Sequence, residues 1–174
     1  MKYFIGIVPP ENIKNELIHF QEQWGSKMNI EPHITVKAQG GLTSDGNWLH
    51  DIKRVCGDFP SFDLTLREPA LFGQSVLYLR VDSNKVHKLH KSLVKAISPS
   101  EEMIIQYFEL EAYIPHLTIG LTEWGLSEKE LSNMKHKAVE QIKLDQTFAV
   151  TYVRIYKQDD SNTYDKLIDI PLLK

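Results

Sequence analysis

The fold prediction rests on two short stretches of the sequence, Pro32-His33-Ile34-Thr35-Val36 and Pro115-His116-Leu117-Thr118-Ile119. Both are rich in aliphatic and β-branched residues, which favour strands, and in each a histidine and a threonine alternate with aliphatic residues. Successive side chains of a strand point to opposite faces, so each stretch has one polar and one apolar face. If the two strands lie side by side, their polar faces line one groove that contains two imidazoles and two hydroxyls.

The segments around these strands occur in the same order in both halves of the chain. One shift of 83 residues places His33 on His116 and places Ser44, at a predicted helix start, on Ser127. Apolar periodicity predicts strand, helix, strand, helix and strand at residues 3–8, 13–24, 32–36, 44–59 and 62–66. It predicts the same elements again at residues 76–81, 86–97, 115–119, 127–138 and 147–156. Residues 98–114 are predicted to be an inserted surface loop, and residues 163–173 a further strand. The order β-α-β-α-β therefore occurs twice, which indicates a duplication.

The composition is that of an ordinary globular domain, with 174 residues of which 42% are hydrophobic and 25% charged. A net charge of -3 gives no overall positive field, which argues against a protein that coats duplex nucleic acid. The single cysteine, Cys56, cannot form an intrachain disulfide, and the apolar run at residues 3–8 is too short for a signal peptide or a membrane span. We therefore expect a cytoplasmic protein that binds neither duplex nucleic acid nor membranes.

The paired histidines indicate acid-base chemistry. Hydrolysis of a phosphodiester requires a base that activates the nucleophile and an acid that protonates the leaving oxygen, and histidine performs either role near neutral pH. A threonine two residues after each histidine, Thr35 or Thr118, supplies a hydroxyl donor for the nonbridging phosphate oxygens. One such histidine alone is more often a structural residue in a strand, but two copies at matching positions favour a catalytic pair that needs no metal ion.

These motifs, together with the lead-in Tyr113-Ile114-Pro115-His116, resemble those of the two-histidine (2H) phosphoesterase superfamily. That group includes LigT-like RNA 2',3'-cyclic phosphodiesterases and 2'-5' RNA ligase-like proteins, and the length and duplicated layout are most similar to its small bacterial YjcG-type branch. The resemblance covers the whole chain. It implies an α+β fold of two pseudo-twofold related lobes, with antiparallel sheets, a central cleft and helices outside. Residues 1–174 would form a single domain, with lobe cores at about residues 1–69 and 70–174 that exchange strands.

The resemblance also implies an activity, which is hydrolysis of a cyclic or 2',5'-linked phosphodiester without metal ion or cofactor. It implies that His33 is the proton donor and His116 the acceptor, and that Thr35 and Thr118 hold the phosphate. A small nucleotide, an RNA end or a small metabolite is the expected substrate, and the oligomeric state is left open. Two other hypotheses are a protein that binds a nucleotide or phosphate without turnover, and an enzyme that joins RNA ends, for which a basic groove is needed.

Several other residues are candidate contacts in the cleft. Tyr78 and Arg80 share one strand face, as do Tyr152, Arg154 and Tyr156 on another strand, and either set presents rings and a guanidinium to a phosphate and a base unless it faces solvent. Lys37 approaches the phosphate if the strand continues past Val36. By contrast, His87 and His90 are interpreted as part of a solvated helix face, because no carboxylate completes a metal site.

Overall fold

The computed structural model describes residues 2–26, 28 and 30–174. The helices in that part of the chain are α1 (Glu11–Glu22), α2 (Leu49–Asp58), α3 (Asn84–Ile97), α4 (Glu101–Gln106) and α5 (Glu128–Gln141), with single turns of 3-10 helix at Leu110–Ala112 and Thr122–Trp124. The strands are β1 (Tyr3–Ile7), β2 (Ile34–Lys37), β3 (Phe62–Phe72), β4 (Val76–Asp82), β5 (His116–Leu121), β6 (Gln146–Val150), β7 (Tyr152–Gln158) and β8 (Tyr164–Pro171). No described helix is long and apolar enough to cross a membrane.

The strands form one antiparallel sheet in the order β6-β3-β4-β5-β2-β1-β7-β8. The two strands with the histidine motifs, β2 and β5, are neighbours at its centre, where Ile34 pairs with Leu117. Helices α1, α3 and α5 contact the strands of this sheet. The predicted α+β fold, with antiparallel strands and both motifs at the centre, is confirmed.

The apolar faces of the motifs form part of the core. Ile34, Val36, Leu117 and Ile119 are all fully buried, as their alternation with histidine and threonine predicts. Helix α5 packs closely against β5 at Gly120, where an added Cβ would lie only 2.8 Å from the Leu131 side chain. The apolar face of the central strands is therefore packed against a helix, while the polar face is free to line a binding site.

The C-terminal half of the sheet differs from the prediction of one strand at residues 147–156. Two strands, β6 and β7, meet at Thr151, and they lie in opposite halves of the sheet, β6 beside β3 and β7 beside β1. The apolar alternation shifts by one residue at this break, from Phe148 and Val150 before it to Val153 and Ile155 after it, which a single regular strand cannot accommodate. The partition of the domain into lobes of residues 1–69 and 70–174 stays a prediction.

Three more local expectations are corrected. Strand β3 continues past Leu66 to Phe72, and an irregular register between Leu66 and Pro69 accommodates the proline. Residues 98–114 are not a plain loop but contain α4, whose N-cap Ser100 accepts a hydrogen bond from the Met103 amide. Ser127 does begin a helix with a capping box, whereas Ser44 does not, because α2 starts only at Leu49.

Candidate active site

The two motifs bring their polar residues together on one face of the sheet. His33 directly precedes β2 and His116 begins β5. Ile34 and Leu117, which pair with each other, have their side chains in the core, so the flanking residues of both motifs project toward the opposite face. The polar residues of both motifs are half-buried on that face, and each lines at least one of two adjoining cavities: His33, Thr35, His116 and Thr118.

Both histidines are held by the same local hydrogen bond. The Nδ1–H of His33 donates to the carbonyl oxygen of Glu31 at 2.8 Å, and that of His116 donates to the carbonyl oxygen of Ile114 at 2.7 Å. A proline separates donor and acceptor in each case and restricts the preceding residue to extended backbone, which places its carbonyl alike in both motifs. The proton on Nδ1 leaves Nε2 of each neutral ring free to accept or, once protonated, to donate.

Burial lowers the pKa of both imidazoles. For His116 the hydrogen bond to the Ile114 carbonyl partly offsets this effect. For His33 the hydrogen bond to the Glu31 carbonyl and the negative charge of the Glu31 carboxylate both raise the pKa in part, while the nearby charge of His116 lowers it. Each ring is therefore poised to lose its proton more readily than a histidine in water, and the charge of His116 acts on His33.

The surroundings of His33 contain ring faces and charged groups. Its ring centroid lies 4.9 Å from that of Phe4 and 5.6 Å from that of Tyr156, and these two rings stack on each other at 4.6 Å. The Glu31 carboxylate accepts hydrogen bonds from Arg154 at 2.6 Å and from the Tyr156 hydroxyl at 2.8 Å. The first histidine thus lies beside a carboxylate whose position is fixed by β7.

The surroundings of His116 are aromatic. Its ring lies edge-on to Phe72 at 5.0 Å and to Tyr78 at 5.4 Å, and Phe72 stacks on Tyr78 at 4.0 Å. No carboxylate of the described residues is among the groups that shift the pKa of His116. The second histidine is therefore positioned by rings from β3 and β4 and not by charges.

Two cavities extend from the motifs. The Glu31 cavity, of about 470 Å³, is lined among others by Phe4, Glu31, His33, Gln39, Thr118 and Tyr164. The Phe72 cavity, of about 420 Å³, is lined among others by Phe72, Tyr107, Phe108, Tyr113, Ile114 and His116. Thr35 lines both, so they adjoin at the motifs. Neither cavity has a lysine or arginine among its described lining residues.

Most of the chain matches one known protein family. A profile described as the 2'-5' RNA ligase superfamily matches residues 9–162. The chain belongs to the 2'-5' RNA ligase superfamily. The resemblance to two-histidine phosphoesterases is thereby confirmed at the level of the family, whereas assignment to the YjcG-type branch stays a prediction.

Individual relatives align with nearly the whole length of this chain. The RNA 2',3'-cyclic phosphodiesterase of Methanocaldococcus jannaschii is 27% identical over 170 residues, covering 90% of this chain and 91% of the relative. The crystal structure of TT0787 of Thermus thermophilus has a TM-score of 0.74 at 14% identity and covers 99% of this chain and 98% of its own. E. coli LigT complexed with 3'-AMP has a TM-score of 0.65 at 17% identity, with the same coverage. The two structures match the fold.

Two of the residues predicted to contact the ligand, Lys37 and Arg80, form ion pairs elsewhere. Lys37 is fully buried, and its ammonium group bonds to Glu109 at 2.7 Å and to the Gly40 and Ala38 carbonyls, so it is directed toward the 98–114 segment and away from the motifs. Arg80 is exposed and pairs with Glu68 at 3.4 Å. Neither residue lines the two cavities.

The other predicted contacts lie next to the histidines or pack around Glu31. Tyr78 and Tyr156 are buried next to His116 and His33 respectively. Arg154 is bound between Glu31 and Asp169, and its guanidinium lies 5.7 Å from the centre of the Tyr152 ring. The strand alternation correctly grouped these side chains, but none of the four lines either cavity.

The sequence reasoning missed the contribution of the 98–114 segment and of Glu31. Tyr113 donates from its hydroxyl to the Thr35 carbonyl at 2.8 Å and stacks on His90 at 3.8 Å. His90 is buried and not solvated, since its Nδ1–H donates to the Val36 carbonyl and its Nε2 accepts from the Leu110 amide. An available signal for Glu31 was its position two residues before His33, where the second motif has Ile114.

Proposed function

We propose that this chain is a phosphodiesterase that hydrolyses a cyclic or 2',5'-linked phosphodiester of a nucleotide, with His33 as proton donor and His116 as proton acceptor and with no metal ion required. The observation that carries the proposal is the pair of imidazoles held in the same way on adjacent strands. Each has an Nε2 that bonds to no other described residue and a threonine hydroxyl two residues on. This arrangement provides an acid and a base around one phosphate.

The proposed reaction proceeds by in-line displacement at phosphorus. His116 Nε2 accepts a proton from water as the water oxygen bonds to phosphorus. The bond from phosphorus to the leaving oxygen breaks, and the Nε2–H of a protonated His33 gives its proton to that oxygen. Thr35 and Thr118 donate hydrogen bonds to the nonbridging oxygens, where the negative charge is concentrated. The two histidines finish with exchanged protonation states, and solvent resets them.

The cavities favour a nucleotide with a single negative charge as the substrate. Phe72, Phe108 and Tyr113 provide ring surfaces beside His116, on which a base stacks. The described lining residues include no lysine or arginine, so a phosphodiester monoanion suits the site better than a polyanion. The relative from Methanocaldococcus jannaschii is named an RNA 2',3'-cyclic phosphodiesterase, which supports a phosphodiester of a nucleotide, and E. coli LigT was crystallised with 3'-AMP, which supports a nucleotide.

The test follows 31P NMR spectra of nucleoside 2',3'-cyclic phosphates, a cyclic ribose phosphate and a 2',5'-linked dinucleotide, all in EDTA. We expect the wild type to convert at least one of them and His33→Ala or His116→Ala to lower kcat/KM by a factor of about 10³ or more. His136→Ala is the matched control, because that histidine is exposed on α5 and its ring bonds to the Ser132 carbonyl of its own helix.

Two results would contradict the proposal. One is an activity that EDTA removes and a divalent metal ion restores, which would place the chemistry on a metal ion. The other is tight binding of these nucleotides with no product, which would support the alternative of a non-catalytic nucleotide-binding protein that uses the same cleft.

A further inference from the structure

The two histidines have nearly identical local geometry, yet acid-base catalysis needs them in different protonation states. Each donates from Nδ1 to the carbonyl two residues earlier, at 2.8 Å for His33 and 2.7 Å for His116, and each follows a proline. The backbone around the rings therefore provides no basis for one to hold a proton while the other gives it up. The difference has to come from the groups around them.

We propose that Glu31 is a positioning residue that keeps the proton on His33 and so makes His33 the donor and His116 the acceptor. This inference rests on the proposed function, because it assigns roles within that reaction. Glu31 occupies the place in the first motif that Ile114 occupies in the second. Its carbonyl orients the His33 ring, Glu31 lines the same cavity as His33, and its carboxylate bonds to the hydroxyl of Tyr156, whose ring lies beside His33.

The Glu31 carboxylate is held in its ionised form. Burial by itself raises the pKa of Glu31, but hydrogen bonds from Arg154, Tyr156 and Lys14 outweigh this effect and lower it. The Lys14 ammonium lies 3.2 Å from the second carboxylate oxygen. Donors from α1 and β7 thus fix a negative charge next to the first histidine.

The other charges near this carboxylate do not replace it. Arg154 is also bound in bidentate fashion by Asp169, at 2.7 and 2.9 Å, and Lys14 also pairs with Glu11 at 2.8 Å. None of these four residues lines the cavity that contains His33, whereas Glu31 does. Two further titratable neighbours of His33 are Tyr156, whose hydroxyl bonds to Glu31, and His116, whose charge opposes protonation of His33.

The first experiment measures kcat/KM against pH for wild type, Glu31→Gln and Asp169→Asn. With His33 as the acid, its loss of a proton sets the alkaline limb, and His116 sets the acid limb. Glu31→Gln keeps the size of the side chain but removes its charge, so we expect the alkaline limb to move to lower pH and the rate at pH 8 to fall about 3- to 10-fold more than at pH 5. Asp169→Asn also removes a carboxylate from Arg154, but not the one beside His33, and should leave both limbs in place.

Each other outcome overturns part of the proposal. Movement of the acid limb alone would make His33 the acceptor, and a uniform loss across the pH range would reduce Glu31 to a structural role. An NMR titration of the imidazole Cε1–H resonances without substrate separates this inference from the proposed function. There Glu31→Gln should lower the pKa of His33 and leave that of His116 unchanged, and an unchanged His33 would refute the inference even if the enzyme is active.

Discussion

The two histidine motifs share a backbone frame and a neighbouring stacked pair of Phe and Tyr rings, but they differ in the charged groups around them. His33 lies among Phe4, Tyr156 and a carboxylate bound by Arg154, while His116 lies among the rings of Phe72 and Tyr78. The shared backbone parts are local, being the proline, the carbonyl two residues back and the strand. The different parts come from distant segments, β1 and β7 for the first motif and β3 and β4 for the second. The repeated motifs thus supply paired chemical groups, and their different neighbours make the two groups unequal.

A second difference between the two halves is the 98–114 segment, which contacts β2. The 98–114 segment has no counterpart in the first half, and with α3 it is attached to β2 by three polar contacts, Lys37 with Glu109, His90 with the Val36 carbonyl, and Tyr113 with the Thr35 carbonyl. All three contacts join a residue of the second half to the strand that carries the first motif. These contacts and the aromatic wall of Phe72 and Tyr78 beside His116 distinguish the second half of the chain from the first.

The largest effect on stability is expected from breaking the buried ion pair. Lys37→Met leaves the Glu109 carboxylate without its cationic partner in a site where both side chains are almost fully buried. We expect the free energy of unfolding in urea to fall by about 3 to 5 kcal/mol. The double variant Lys37→Met with Glu109→Leu should regain most of that loss, since it removes both charges. A loss below about 1 kcal/mol for the single variant would show that the segment is not anchored by this pair.

Protonation of His90 should weaken the same attachment. The pKa of His90 is lowered to about 4, chiefly by burial and further by the charges of Lys37, His87 and Lys91, and its bond to the Val36 carbonyl offsets only part of this. The unfolded chain therefore takes up a proton near its ordinary pKa of 6.5 that the folded chain refuses until about pH 4. Stability should be complete above pH 6.5 and decrease as the pH falls through that window, by about 1.4 kcal/mol per pH unit at most.

Urea unfolding at several pH values measures this effect. His90→Gln removes the titrating group and should flatten the dependence. The slope that remains comes from His33 and His116, whose pKa values burial also lowers, and near pH 4 from carboxylates such as Glu31, whose pKa is lowered by its hydrogen bonds. An unchanged slope in His90→Gln would assign the acid sensitivity to other groups.

A smaller effect is expected in the aromatic wall beside His116. Phe72→Ala removes a ring that lines the Phe72 cavity, and we expect KM for a nucleoside 2',3'-cyclic phosphate to rise about tenfold, as for loss of one stacking contact. A cyclic ribose phosphate without a base is the internal control, and its KM should change less than about twofold. Equal changes for both substrates would mean that Phe72 positions His116 and does not contact the base.

Much of the site was visible in the sequence because its signals are local. The alternation in Pro-His-x-Thr-x determines which side chains share a face, and the repetition of the motif predicts that two imidazoles act together. Helical stripes such as Ile13, Leu17 and Phe20, which are buried in α1, follow from a period of 3.6 residues. The resemblance to the family rests on the two motifs, and the search of known proteins agrees with it.

The order of the elements and the polar and apolar faces of the two motif strands therefore follow from the sequence, since each depends on neighbours within a few residues, while the expectation that the two motifs act together follows from their repetition. Three features emerge only from long-range contacts in the folded chain. Residues 146–158 divide between opposite halves of the sheet, Lys37 forms a buried ion pair with Glu109, and Glu31 bonds to Arg154 and Tyr156. These contacts join residues separated by 72 to 125 positions, and no periodicity along the chain specifies which charged or aromatic groups meet across such distances.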